Sequence, residues 1–216
     1  MTGSEGRTRR VAPNKSRVYL TVKRAVDIAG SAAGMLVLSP LLLLVALLIY
    51  LDNPGPVLYA QERAGMNNRK FVMYKFRSMV PDAEKQHADL LRYNEMEGPV
   101  FKMKDDPRIT KIGRFIRKTS IDELPQLINV LRGEMSLVGP RPLAAYESRN
   151  LDEYQLQRLL VRPGITCFWQ ISGRNDISFD RWIEMDLDYI EQASLKTDAV
   201  ILLRTVKAVL VGRGAY

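Results

Sequence analysis

Two residue types that carry much of enzyme chemistry are almost missing: 216 residues contain one cysteine, Cys167, and one histidine, His87. A single cysteine forms no internal disulfide, which excludes a disulfide-stapled secreted scaffold. Zinc sites built from several His or Cys ligands are excluded as well. Acid–base and nucleophilic work therefore falls to carboxylates, lysines or tyrosines. Repeats, low-complexity tracts and the G-x-G-x-x-G signature of a Rossmann fold are also absent. With 46% hydrophobic and 26% charged residues, the composition is that of an ordinary globular chain.

Charge is missing from one long stretch. Residues 28–51, between Asp27 and Asp52, hold no charged side chain. As a helix, 24 residues run about 36 Å, against about 30 Å for the hydrocarbon core of a bilayer. The run is too long and too leucine-rich for a signal peptide, and no small-residue cleavage site follows it. Basic charge sits beside it: of a net +8, the first 24 residues carry seven Lys and Arg against Glu5 alone. That placement suits an anionic membrane surface better than nucleic acid.

Pro40, near the middle of the run, removes a backbone donor and favours a kink, and Ser39 can satisfy part of the freed backbone. Basic residues also follow the run, with Arg63, Arg69, Lys70, Lys75 and Arg77 against Asp52 and Glu62. A straight span with basic flanks on both sides conflicts with the positive-inside rule. A helix that enters, bends at Ser39-Pro40 and returns satisfies it. On the residues alone, the kinked span and the re-entrant hairpin both stand.

The expected organisation is a flexible basic tail over 1–16, the membrane helix over 17–52 and a globular domain over 53–216. Asn53-Pro-Gly-Pro56 breaks the helix. Strands are expected at 57–59 and 70–76 around a turn at 65–68, and helices at 82–93 and 108–118. The second of these sets Ile109, Ile112, Phe115 and Ile116 against Arg108, Lys111, Arg114, Arg117 and Lys118. Such a helix fits either a lipid surface or a core-facing position with a solvated basic side. Ser120 and Glu123 read as a capping box opening the next helix, which Gly133 ends. Helices at 151–160, 179–191 and 195–211 and a strand at 166–171 complete the reading. Arg204 and Lys207 make the last helix too charged to span a membrane. The fold class is α/β, with short strands and amphipathic interfacial helices.

Asp122 and Glu123 are adjacent carboxylates in a first helical turn, where acids are favoured for purely structural reasons. Arg114, Arg117 and Lys118 just before them, and Arg141 in Gly139-Pro-Arg-Pro142, change the setting. Two oxygen ligands among cations suit Mg²⁺ and a pyrophosphate. Flanking prolines hold Arg141 so that its guanidinium can fork onto phosphate oxygens.

The run 106–142, containing Ser120-Ile-Asp-Glu-Leu-Pro-Gln126 and Leu137-Val-Gly-Pro-Arg-Pro142, resembles the signature of the bacterial sugar transferases. These are the monotopic polyprenyl-phosphate phosphoglycosyl transferases. Lys23-Arg-Ala-Val-Asp27 leading to Ser39-Pro40, Tyr74-Lys-Phe-Arg-Ser-Met79, and Arg162-Pro-Gly-Ile-Thr166 with Gly173-Arg-Asn175 agree, in the family's order, over about residues 20–216. One departure is Cys167-Phe168, where many relatives have Gly-Trp; Cys167 reads as a small buried residue. His87 reads as a surface side chain.

The resemblance implies transfer of a sugar-1-phosphate from a UDP-sugar to undecaprenyl phosphate with release of UMP, starting a membrane-linked glycan such as an exopolysaccharide. It implies a Mg²⁺ requirement, with Asp122 as nucleophile forming a phosphosugar intermediate. Glu123 then assists through metal or proton handling. Lys75, Arg77, Arg117, Arg141 and Arg174 would contact phosphate or substrate. Direct attack by the lipid phosphate, with Asp122 only a metal ligand, and a non-catalytic membrane scaffold are the competing expectations. The resemblance favours re-entrant topology at the bacterial inner membrane with the catalytic domain in the cytoplasm. It also implies contact with anionic lipids, no nucleic-acid partner and a minimal catalytic form, and leaves room for a homodimer.

Overall fold

The computed structural model describes residues 9–95, 98–101, 103–173 and 177–211. Its first element, α1, is one helix from Arg17 to Asp52, capped by the Ser16 hydroxyl, which accepts from the Tyr19 amide. A break is expected at Ser39-Pro40, but α1 continues through Pro40. Pro40 cannot donate to the Leu36 carbonyl, and the Ser39 hydroxyl donates to that carbonyl instead, at 2.8 Å. The most apolar stretch of α1 has a mean hydropathy of 2.7, and only 11% of it is buried. Leu36, Val37 and Leu43 are each more than 70% exposed. A core helix of a water-soluble domain would hide such a surface; this one suits lipid.

Both ends of α1 grip the globular part. That part opens with an antiparallel hairpin, β1 (Leu58–Ala64) and β2 (Lys70–Phe76), joined by a turn in which Asn67 and Asn68 take left-handed backbone angles. There follow α2 (His87–Leu90), α3 (Lys111–Lys118), α4 (Leu127–Arg132), β3 (Ser136–Val138) and α5 (Glu153–Leu156). The chain continues through β4 (Gly164–Thr166), α6 (Phe168–Ile171), α7 (Phe179–Gln192) and α8 (Leu195–Val211). Strands β3 and β4 pair in parallel. The main core lies where α6, α7 and α8 meet this pair, and includes Val138, Cys167, Trp169, Trp182, Ile183, Leu187, Ile190 and Ile201.

At the first end of α1, Lys23 donates to Asp198 of α8 at 2.8 Å and to the Val138 carbonyl at 2.9 Å. Arg24 caps α4 by donating to the Val130 and Leu131 carbonyls at 2.6 and 2.8 Å. Buried Asp27 accepts from the Ser136 hydroxyl and the Leu137 amide at 3.0 and 2.9 Å. At the other end, Val45 and Ile49 pack on Phe76 and Ile116. Arg77 donates to the Asn53 carbonyl.

Several local expectations are corrected. From Arg9 onward the segment read as a flexible tail is docked: Arg9 pairs with Glu184, Asp188 and Glu191 on α7, and Val11 is buried. Residues 1–8 lie outside the described ones. Ser120 is no capping residue, because it takes a left-handed φ of 57° and its side chain makes no cap bond. Residues Ile121–Gln126 form a 3₁₀ turn instead, and the Glu123 carboxylate is engaged elsewhere. A true capping box opens α5, between Asp152 and Gln155. The strand expected at 166–171 ends at Thr166, and 168–171 is helical; a short apolar run does not distinguish the two. The helix expected at 82–93 shrinks to α2 and a 3₁₀ turn, Leu91–Tyr93. Gly133, with φ 80°, ends α4 as its sequence position suggests.

Candidate active site

Four elements converge on one cavity of about 850 Å³. Strand β2 carries Lys75, the 3₁₀ turn carries Asp122 and Glu123, the segment after β3 carries Arg141, and α6 carries Gln170. In β2, Lys75 faces the 3₁₀ turn from the partly buried stretch near the strand's end. The turn brings both acids to the same wall of the cavity, where each is only 8% exposed.

The two carboxylates are treated differently. Oε1 of Glu123 accepts from Lys75 at 2.9 Å and from Arg141 at 2.6 Å, and Oε2 accepts from the Gln170 amide at 3.1 Å. Burial alone would raise the Glu123 carboxyl, but Arg141 and Lys75 overcome it and hold the group well below the usual range. Asp122 has Lys75 at 4.0 Å and also feels the charges of Arg117 and Arg141, and among the described residues nothing donates a hydrogen bond to its carboxylate. Burial pushes Asp122 up to about 6, Lys75 opposing the rise and the Glu123 charge adding to it. Lys75 is itself lowered, because burial outweighs its attraction to Glu123. One acid is therefore held as an anion by its partners, and the other lines the cavity with its lone pairs open.

The expected site residues divide accordingly. Lys75, Asp122, Glu123 and Arg141 are brought together. Arg117 lines the same cavity from α3. Arg77 also lines it, but its guanidinium is buried and tied to the Asn53 carbonyl where α1 ends, which makes it a strut as well as a cavity wall. Arg174 lies outside the described residues. His87, read as a surface residue, is half-buried on the cavity wall, edge-on to Phe101 at 4.9 Å.

Sequence reasoning missed Gln170, whose segment read as a strand, and Trp169, over whose ring the Arg141 guanidinium lies at 5.4 Å. It also missed Arg63, which donates to the Pro142 carbonyl at 3.2 Å and has Glu147 at 3.8 Å. In the strand Arg63 shares the less exposed face with Tyr59 and Gln61, a set with no apolar alternation to mark it in the sequence.

A hard cation fits this donor set in part. Among the described residues no three His, Cys, Asp or Glu side chains cluster. A cation held by the acidic pair would complete its shell with phosphate oxygens and water, the usual manner for Mg²⁺. Asp122 offers open oxygens, whereas Glu123 can contribute only as Lys75, Arg141 or Gln170 yields.

Residues 18–212 match the bacterial sugar transferase family, and the chain belongs to it. It is 50% identical over 198 residues to the galactosyl transferase CpsE of Streptococcus agalactiae, covering 91% of this chain and 44% of that protein. It is 40% identical to the exopolysaccharide production protein ExoY of Rhizobium meliloti, covering 90% of this chain and 88% of that one. It is 42% identical to the undecaprenyl-phosphate galactose phosphotransferase of Salmonella typhimurium, covering 90% of this chain. The chain thus spans less than half the length of the first and third of these relatives.

Proposed function

We propose that this chain transfers a sugar-1-phosphate from a UDP-sugar to undecaprenyl phosphate, releasing UMP, as a membrane step of polysaccharide biosynthesis. The observation that carries this reading is the open Asp122 carboxylate beside the cation-locked Glu123. An Asp122 oxygen attacks the sugar-bearing phosphorus, and the bond from that phosphorus to the bridging oxygen breaks. UMP leaves with the bridging oxygen, and an acyl phosphate bears the sugar. An oxygen of the lipid phosphate then attacks the same phosphorus and frees Asp122. Splitting the transfer lets the nucleotide depart before the lipid must bind.

Lys75 and Arg141, drawn together by Glu123, meet the negative charge of the donor diphosphate, and Arg117 adds to it from α3. Mg²⁺, held by Asp122 or Glu123 together with phosphate oxygens, would supply further neutralisation of that charge. Release of UMP is measured with a panel of UDP-sugars, Mg²⁺ and undecaprenyl phosphate in lipid nanodiscs. Release with one donor is the expected result; no release with any, from folded membrane-bound protein, overturns the reading.

Two further outcomes follow from the geometry. Asp122 must be ionised to attack, so kcat/KM rises with pH through about 6 rather than through the ordinary 3.8. A pH–rate profile whose acid limb lies near 4 contradicts this. The second concerns topology: we assign α1 as re-entrant, both ends lying on the cytoplasmic face. Supporting this, Lys23, Arg24 and Asp27 at one end, and Val45, Ile49 and Asn53 at the other, bind the same globular part. Arg17→Cys and Asp52→Cys are each expected to react with an impermeant maleimide only from the cytoplasmic side. Labelling from opposite sides overturns the assignment.

A further inference from the structure

Behind the active site lies a buried ion pair that makes no contact with the cavity. Arg158 and Asp186 of α7 are 2.5 Å apart, and both side chains are 1% exposed. Burying such a pair is costly, and a packed apolar pair of similar volume is commonly at least as stable, so stability alone is a weak reason for it. The geometry supplies another. The Arg158 nitrogen that meets Asp186 also donates to the Arg141 carbonyl at 2.7 Å. The Arg158 guanidinium lies over the Trp182 ring at 5.1 Å, Trp182 stacks on Trp169 at 4.7 Å, and the Arg141 guanidinium lies over Trp169 at 5.4 Å. Arg141 is therefore held at both ends by one column, its backbone by Arg158 directly and its side chain through the two indoles.

The neighbouring backbone is pinned too. The Pro140 carbonyl accepts from the Gly164 amide at 2.9 Å, and the Pro142 carbonyl accepts from Arg63 at 3.2 Å. Three successive carbonyls are fixed in a segment where prolines already restrict the backbone. The Arg158 contact is the one among them that is also linked to the Arg141 side chain.

Resting on the function proposed above, we infer that Asp186, Arg158, Trp182 and Trp169 form a positioning column. It sets the Arg141 guanidinium against Glu123 and the donor diphosphate. Arg158 and Asp186 act through Arg141 and touch no substrate.

The test is a double-mutant cycle on full-length protein in nanodiscs, read by the affinity for inorganic pyrophosphate. Both tryptophans of the chain belong to the column, so their fluorescence reports binding without turnover. Arg158→Lys keeps the charge but loses the planar fork. It is expected to weaken pyrophosphate binding about 10-fold in the wild-type background and by less than about 2-fold when Arg141→Ala is already present, the non-additivity of a shared path. Asp186→Asn is expected to behave alike, and where Arg158→Lys does not fold, it carries the cycle. Equal losses in both backgrounds, or wild-type affinity in both single variants, overturn the positioning column while leaving the proposed function in place. Failure of the wild-type protein to bind pyrophosphate while it still releases UMP overturns the column alone; failure of both overturns the proposed function as well.

Discussion

Replacing Asp122 with asparagine is expected to lower UMP release by about 1,000-fold or more while leaving the fold as stable as before, or more so. The two effects have one cause. Asp122 is buried beside Glu123, with its carboxyl raised to about 6. A group whose folded pKa lies above its unfolded value favours folding when protonated, and that contribution is lost as pH rises toward the folded pKa. At neutral pH the ionised Asp122 therefore works against the fold, and a neutral amide of the same shape relieves it. Asparagine also cannot form the acyl phosphate. A thermal melt and a rate on the same preparation check the pair of outcomes; loss of activity with a lower melting temperature points to collapse of the site instead.

Glu123→Gln is expected to act in the opposite sense on stability. The Glu123 carboxylate takes hydrogen bonds from Lys75, Arg141 and Gln170. Removing its charge leaves two cations facing each other with only Asp122 nearby, and breaking a buried pair in this way costs about 3 kcal/mol. For a chain of this size that lowers the melting temperature by on the order of 10 °C. The linkage sign agrees: Glu123 is held below its ordinary 4.5, so its stabilisation is complete above that pH and is lost on acidification. Release of UMP is expected to fall about 100-fold, since Lys75 and Arg141 lose the anchor that sets their positions. An unchanged melting temperature in Glu123→Gln contradicts the locked-anion description.

The family, the acidic pair, Lys75, Arg141 and the long apolar helix were legible in the sequence because each depends on local pattern. A chargeless run, a hairpin turn at residues 65–68 and a dense cluster of charges need no tertiary information. What stayed illegible depends on contacts between distant residues. Ser120 and Glu123 have capping-box spacing, yet Lys75, 48 residues away, and Arg141 claim the Glu123 carboxylate. Residues 168–171 are as apolar as a strand, yet they form a helical turn from which Gln170 reaches Glu123. Arg9 looked like tail charge until α7 supplied three acids on one face. Arg158 and Asp186 carry no sequence signal of pairing at all, since only the packing of α7 beneath the Arg141 segment brings them together.

In the proposed reaction Asp122 carries the sugar phosphate during transfer, and the intact mass of the protein reads this out. After incubation with Mg²⁺ and the UDP-sugar it accepts, but without lipid, the protein should gain the mass of one sugar phosphate and release a matching amount of UMP. Undecaprenyl phosphate should then discharge the adduct, and Asp122→Asn should never form it. An unmodified mass, with UMP released only when the lipid is present, would contradict the account and place the lipid phosphate as the direct attacking group.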